Sequence, residues 1–271
     1  VKLFGMKPST VTLSNGKTVV MKRSQTPFVV LLLVVLTIAA GKLTGFNIVE
    51  LFERLPALWV ILEQLFNPNF AYASKLWIPL LDTIKMSFIG SALGALLALP
   101  MAYLASSNMI SNRVVVSLSK FFLSVLRTLP TLIVASIATF ILGLGTMAGT
   151  VAIFMFTIAY VGKLLYEQIE NADMKAYDAM LSVGMTPLQS FRYAILPQVL
   201  PSYLSTALFS FEGNVRYASI LGLVGAGGIG LMLNENIGWR NYSNVGMILL
   251  LLMVTVIVIE TISETLRKKL I

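Results

Sequence analysis

The residues of this chain that could do chemistry are few, and their types suit handling charge better than making bonds. Its 271 residues include no histidine and no cysteine. The commonest general base and the commonest metal ligand are therefore missing. So are disulfides and thiol chemistry. A histidine-dependent intramembrane protease or metalloenzyme is disfavoured. The charged residues that draw notice are arginines set among apolar residues. Arg127 lies deep in one apolar run, just before Pro130. Arg216 follows another, beside Glu212 and Asn214. Intramembrane charge is expensive and usually functional. The plainer reading of Arg216 is an ion pair with Glu212, four residues away on a helix. A second feature is glycine-rich: Gly225-Ala226-Gly227-Gly228-Ile229-Gly230 fits the spacing of a dinucleotide-binding loop. No strand and helix context surrounds it, and no Walker lysine follows. Small residues in a membrane protein permit close helix approach, and Gly225, Gly227 and Gly228 are candidates for a close contact or gate between helices.

Composition shows what must position these residues. The chain is 57% apolar and 12% charged, with a mean hydropathy of +0.85. Soluble domains carry roughly 25% charged residues. This is an all-α, polytopic membrane bundle, each span needing about 20 residues. Apolar runs cover Phe28 to Phe46, Leu76 to Ala105 (interrupted by Asp82 and Lys85), Val114 to Leu142, Met147 to Leu165, Leu196 to Phe211 and Asn244 to Leu266. They predict about six spans, the third bent at Pro130. The glycine-rich stretch from Tyr217 to Leu233 reads either as a re-entrant segment or as a broken helix buried by protein.

The net charge of +8 is distributed as a bilayer requires, not as nucleic acid would. Lys2, Lys7, Lys17, Lys22, Arg23, Arg113, Lys120, Lys163, Lys175, Arg192, Arg267, Lys268 and Lys269 fall on one side of the predicted spans. Lys42, Arg54, Lys75, Arg216 and Arg240 fall on the other. The positive-inside rule makes both termini cytoplasmic. The first run also has a signal-peptide look, with Lys22-Arg23 before it and Ala39-Ala40-Gly41 at its end. Cleavage there would leave five spans and fit the charge rule less well.

Residues 1–26 form an N-terminal tail, and residues 27–271 the transmembrane domain. In the tail, Thr10 to Ser14 and Lys17 to Met21 alternate around Asn15-Gly16, a two-residue hairpin signal. The alternative is a floppy cytoplasmic tail. Between the first two spans, Ile48, Leu51, Phe52, Leu55, Leu58, Trp59, Leu62, Leu65 and Phe66 recur at helical spacing. They predict a helix on the outer membrane surface, or packed on the bundle, broken near Pro56.

The segment 172–197 is polar and punctuated by turns. Ala172 to Val183 favours helix. Gly184 suits a left-handed helix stop. Thr186 suits an N-cap, Pro187 the first helical position, and Gln189 the reciprocal partner of a capping box. Asp173, Lys175, Tyr177 and Asp178 would face a partner, and Leu196-Pro197 marks re-entry into the membrane. The bland alternative is an ordinary helical hairpin between spans.

This segment resembles the EAA loop of ABC importer permeases. Asp178, Ala179 and Met180 stand for Glu-Ala-Ala, Gly184 and Leu196-Pro197 match in register, and Ala194 replaces an expected Ile. Phe211 to Arg216, Leu221 to Gly230, Arg127-Thr128-Leu129-Pro130, Gly143-Leu144-Gly145, Leu99-Pro100-Met101-Ala102 and Lys163 to Glu167 are similar to permeases of phosphonate and phosphite uptake systems. The resemblance covers roughly Leu80 to Leu266. It implies the type I importer permease fold in a bacterial plasma (inner) membrane. It also implies a homodimer, bound to two ABC ATPase subunits and fed by an external substrate-binding protein. No cofactor would bind this chain, and ATP and Mg would sit on the ATPase. The cargo would be a phosphonate, phosphite or phosphate, whose charge and acceptor oxygens guanidinium and amide donors match. Two other classes compete. One is an anion channel or secondary carrier, which needs no capped cytoplasmic knob. The other is an intramembrane lipid-phosphate enzyme, which needs a carboxylate cluster or a nucleophile with its base.

Overall fold

With no water in a bilayer core to bond the backbone, a spanning chain must satisfy its own amides, and this one does so with helices. The computed structural model describes residues 10–12, 16, 18–20 and 26–270. The first helices are α1 (Thr26–Leu43) and α2 (Ile48–Phe66). A 3-10 turn (Phe70–Tyr72) leads into α3 (Ala73–Ala105). Then come α4 (Arg113–Thr128), α5 (Thr131–Leu142), α6 (Thr146–Glu170), α7 (Lys175–Ser182) and α8 (Pro187–Ser190). A π turn (Phe191–Ile195) joins α8 to α9 (Leu196–Leu221). A 3-10 turn (Gly222–Val224), α10 (Ile229–Gly238) and α11 (Tyr242–Leu270) complete the chain. Five helical stretches are long and apolar enough to cross a membrane. A sixth is obtained if α4 and α5, which meet at 88°, make one broken span.

That break is the bend expected at Pro130, sharpened to nearly a right angle. Leu129 and Pro130 both take extended ψ values, 121° and 130°. A residue before proline is driven out of the helical region, and the ring supplies no amide donor. Pro56 behaves differently. The expected break is absent, and α2 runs straight through it. One missing hydrogen bond on an exposed helix is tolerated when the apolar stripe continues on both sides.

The chain divides into two compact units, residues 1–60 and 61–271. The division falls inside α2, whereas composition puts the boundary at residue 26. In the first unit, strands Thr10–Thr12 and Thr18–Val20 pair antiparallel, Thr12 opposite Thr18. A two-residue turn at Asn15-Gly16 would have set Thr12 opposite Val19, so the register is that of a longer loop. Gly16 has φ +78°, while Asn15 and the rest of the predicted tail lie outside the described residues.

The second unit is built on α3 and α6. A Cβ on Gly90 would lie 2.8 Å from the Ile153 side chain, and one on Gly94 2.6 Å from that of Thr157. Only glycine permits so close an approach. The α3 face continues with buried Ala95, Ala98 and Ala102, and α6 answers with Ala148, Ala152 and Ala159. α9 is longer than its apolar run suggests and extends ten residues past Phe211, to Leu221.

The glycine-rich stretch is a broken helix packed within the protein. Gly225, Gly227 and Gly228 have φ of +78°, +76° and +68°. Gly225 O accepts from Gly145 N at 3.0 Å, and Thr83 Oγ1 accepts from Ile229 N at 2.7 Å. The turn is thereby pinned to the α5–α6 loop and to α3. The ten residues of α10 rise about 15 Å, half the ~30 Å of a hydrocarbon core. An asparagine ladder holds its far end. Asn236 donates to Tyr72 OH at 2.9 Å, Asn244 donates to Asn236 at 3.0 Å, and Asn69 donates to Asn244 at 3.0 Å.

A Cβ at Gly222 would run into the backbone of Gly230 and Leu231, whereas Gly213 in the same helical stretch has nothing within 4 Å. Gly222→Ala should therefore destabilise the protein by about 1–3 kcal/mol or more. Gly213→Ala should be neutral or stabilise it by roughly 0.5–1 kcal/mol. Thermal unfolding of the two purified variants checks this. Equal midpoints would contradict the packing described.

Candidate functional site

Between α6 and α9 the chain leaves the bundle and returns as a compact knob whose geometry is fixed locally. Asp173 Oδ1 accepts from Lys175 N at 3.0 Å, so α7 starts at Lys175 instead of at Ala172. Its end is a Schellman motif: Gly184 N donates to Leu181 O at 3.0 Å and Met185 N to Met180 O at 3.2 Å, with Gly184 at φ +90°. Two residues after Gly184 the expected capping box begins at Thr186. Thr186 Oγ1 accepts from Gln189 N at 3.4 Å, and Gln189 Oε1 accepts from Thr186 N at 3.0 Å. Pro187 occupies the first helical position.

Gln198 ties the knob to α9. Its Oε1 accepts from Asp173 N and its Nε2 donates to Asp173 O, both at 3.1 Å. Leu196 is half-buried and Pro197 exposed. They follow the π turn, where the helix widens just ahead of the missing proline donor. Buried Ala194 fits inside that turn.

Asp173, Lys175, Asp178 and Ala179 are exposed on the knob. Tyr177 is not. It is 5% exposed and packs in the core cluster with Leu165, Ile169, Phe191 and Ile195. The expectation that it faces a partner is corrected: on α7 it points to the bundle while Asp178 points away. Burial pushes its phenol pKa above the ordinary value. In its place the knob exposes apolar side chains: Leu181, Val183, Met185 and Leu188. Their spacing, split across the Gly184 turn, gives no helical stripe in the sequence. Only the folded turn brings them to one elbow.

The second set of candidates lies on α9. Asn214 is 1% exposed. Its Nδ2 donates to Ser91 Oγ on α3 at 2.8 Å and to Thr157 Oγ1 on α6 at 2.9 Å. It is a three-helix clasp, buried away from any ligand. Glu212 is 3% exposed and pairs with Arg216 one turn further along, whose side chain is 53% exposed. A third member was not expected: Arg267 of α11 lies 3.6 Å from Glu212 Oε2 and 5.7 Å from the Phe209 ring. Two guanidiniums therefore converge on one buried carboxylate. Arg216 and Arg267 consequently cannot lie on opposite faces of a hydrocarbon core ~30 Å thick, which corrects the sorting of these two residues by charge. The sequence held no signal for this contact, since Arg267 reads as part of a terminal basic run.

Arg127 is exposed in the last turn of α4 and makes no ion pair with this group. Gly225, Gly227 and Gly228 have close neighbours within their own chain: Leu144, Thr146 and Thr83. Asp82 and Lys85 pair on α3 at 3.7 Å. Lys120 and Ser107 both donate to Glu170 Oε1, at 2.8 and 2.7 Å, bracing the α3–α4 connection against the end of α6. Among the described residues no carboxylates gather as a metal site.

Residues 90–270 match the family described as binding-protein-dependent transport system inner membrane component. A phosphite transport system permease protein of Stutzerimonas stutzeri is 33% identical over 80% of this chain and 79% of its own length. A phosphate-import permease protein of Mycolicibacterium smegmatis is 32% identical over 86% of this chain and 44% of its own length. The MetNI methionine ABC transporter in an inward-facing conformation shares the fold. Its TM-score is 0.63 at 20% identity, over 80% of this chain and 98% of that one. This chain, a multi-pass bundle with a rigid knob between two long helices, belongs to the family of inner membrane components of binding-protein-dependent transport systems.

Proposed function

We propose that this chain lines the path of an ATP-driven importer for phosphonate-like oxyanions, working as a homodimer with two ATPase subunits and an external binding protein. The observation that carries this reading is the knob. Asp178 and Ala179 stand exposed beside an apolar elbow of Leu181, Val183, Met185 and Leu188. A Schellman stop, a capping box and the Gln198 clamp hold that elbow to α9. A docking surface stiffly joined to a spanning helix converts the partner's movement into movement of the helix. Nothing in this chain resembles an ATP site, so ATP and Mg belong to the partner. Both termini and the knob face the cytoplasm.

The relatives named for phosphite and phosphate import supply the cargo class. Arg216, half in the open and held by Glu212, is the group that would meet such an anion on its path. Co-purification with an ATPase, and ATP hydrolysis stimulated by phosphite or phosphonate with its binding protein, test the whole reading. Anion flux from this chain alone, without ATP, would instead make it a channel or carrier.

Gly184→Val forces a β-branched residue into a left-handed turn, at a cost of roughly 1–2 kcal/mol. Membrane insertion should survive, with transport and ATPase retention lost. Thr186→Ala, which removes one cap worth about 1 kcal/mol, should give an intermediate defect. Full uptake by Gly184→Val in reconstituted vesicles would count strongly against the knob's role.

Arg216→Gln keeps the Arg267 guanidinium 3.6 Å from Glu212 Oε2, and the shorter Gln amide can still donate toward Oε1. One cation stays beside the carboxylate, so protein level and assembly should hold while oxyanion uptake falls at least about tenfold, the loss of one charge-assisted contact. If Arg216 were only a structural partner of Glu212, uptake would be unchanged, or restored in the double variant with Glu212→Gln. The cycle separates the two because coupled residues are non-additive.

A further inference from the structure

The last turn of α11 carries Arg267, Lys268 and Lys269, and the first two have a carboxylate beside them within the chain. Arg267 is committed to Glu212, and Lys268 pairs with Glu264 at 2.8 Å. Lys269 has no ion pair among the described residues. It borders a cavity of about 390 Å³ between α3, α9 and α11 whose other lining is almost wholly apolar, including Phe88, Ala92, Leu208, Phe211 and Leu266.

The cavity follows helical stripes. Phe88, Ala92 and Ala95 recur along α3, and Leu204, Leu208 and Phe211 along α9. Over seven residues each stripe rises about 10 Å. The Phe88 and Phe211 rings meet edge to face, 5.8 Å between centroids, and narrow the slot with aromatic edges. Apart from Ser91, whose hydroxyl already accepts from Asn214, the slot is lined by apolar side chains, and its rim carries an ammonium without an ion pair. Lys269 is exposed at the mouth of the slot, so its ammonium is free to meet an acidic headgroup whose chain enters the slot.

We propose that this slot binds one anionic phospholipid, its acyl chain lying between α3 and α9 and its phosphate on Lys269. The dual chemistry decides the occupant. A free oxyanion would use the lysine and leave the slot unfilled. A neutral lipid would fill the slot and leave the charge unmet. Basic pockets between spanning helices suit acidic headgroups for the same reason. The site is separate from Glu212 and Arg216, so it stands whether or not those residues guide cargo.

The test uses the assembled transporter, reconstituted in nanodiscs of equal phosphatidylglycerol and phosphatidylethanolamine, re-extracted and examined by native mass spectrometry. Wild type should retain phosphatidylglycerol in preference. Lys269→Gln should reduce that preference about fivefold, the effect of one lysine near a membrane surface, and Lys269→Arg should keep it. Ala92→Phe, which fills the slot, should lower retention of both lipids. Equal headgroup preference in wild type and Lys269→Gln would overturn the proposal. So would a disulfide across the slot between two copies carrying Ala92→Cys, because a second chain would then be its occupant.

Discussion

The approach of α3 to α6 at Gly90 and Gly94 is the contact on which the rest depends. With the two backbones that close, Ser91 on α3 and Thr157 on α6 come within reach of a single side chain, Asn214. Without a hydrophobic drive between helices in lipid, packing and such hydrogen bonds hold a bundle together. A side chain at either glycine would separate Ser91 from Thr157 and leave the buried amide with one partner. The same face of α3 carries Thr83, whose hydroxyl receives the amide of Ile229 at the start of α10. One helix thus fixes both α9 at Asn214 and the turn beyond its end.

α9 becomes the mechanical centre of the protein as a result. From Pro187 to Leu221 the chain is helical without a gap, about 50 Å of continuous rod. The knob is at one end, and the Asn214 clasp lies two turns before the glycine turn at the other. Its weak points are local and identifiable. The π turn at Phe191–Ile195 and the donors missing at Pro197 and Pro201 lie between knob and clasp. Bending is concentrated where hydrogen bonds are absent. Gln198 sits in that stretch and bridges it to Asp173, which ties the start of α9 to the knob.

What the residues alone revealed follows from how local each cause is. The Gly184 stop, the Thr186 cap, Pro187 and Gln189 were legible because every partner is within a few positions. The break at Pro130 was legible because a proline acts on its own neighbours. Tyr177 was misread because the side of α7 that faces the bundle depends on where Phe191 and Ile195 arrive, after the turn. Gln198 and Arg267 were missed since their partners, Asp173 and Glu212, lie 25 and 55 residues away in sequence. The glycines from Gly222 to Gly230 were correctly seen as allowing close approach. Their partners inside the chain, Leu144, Thr146 and Thr83, could not be known before the loops were placed.

The Glu212 triad shows how an energetically weak arrangement can still be decisive. Removing a carboxylate from water costs several kcal/mol, and its attraction to a guanidinium returns about as much. Net stability therefore does not explain its presence. Specificity does. The apolar face of α11 could slide along α9 with little penalty, since one leucine replaces another against the same surface. Glu212 is the carboxylate from α9 that Arg267 meets, so this contact favours one register of α11 and with it the place of Lys268 and Lys269. Glu212 at the same time holds Arg216 one turn further along the same face of α9. Two cations around one anion leave a net positive charge, and its exposed part is Arg216. The group that favours this helix register is thus also the group that presents a guanidinium where an anion can reach it.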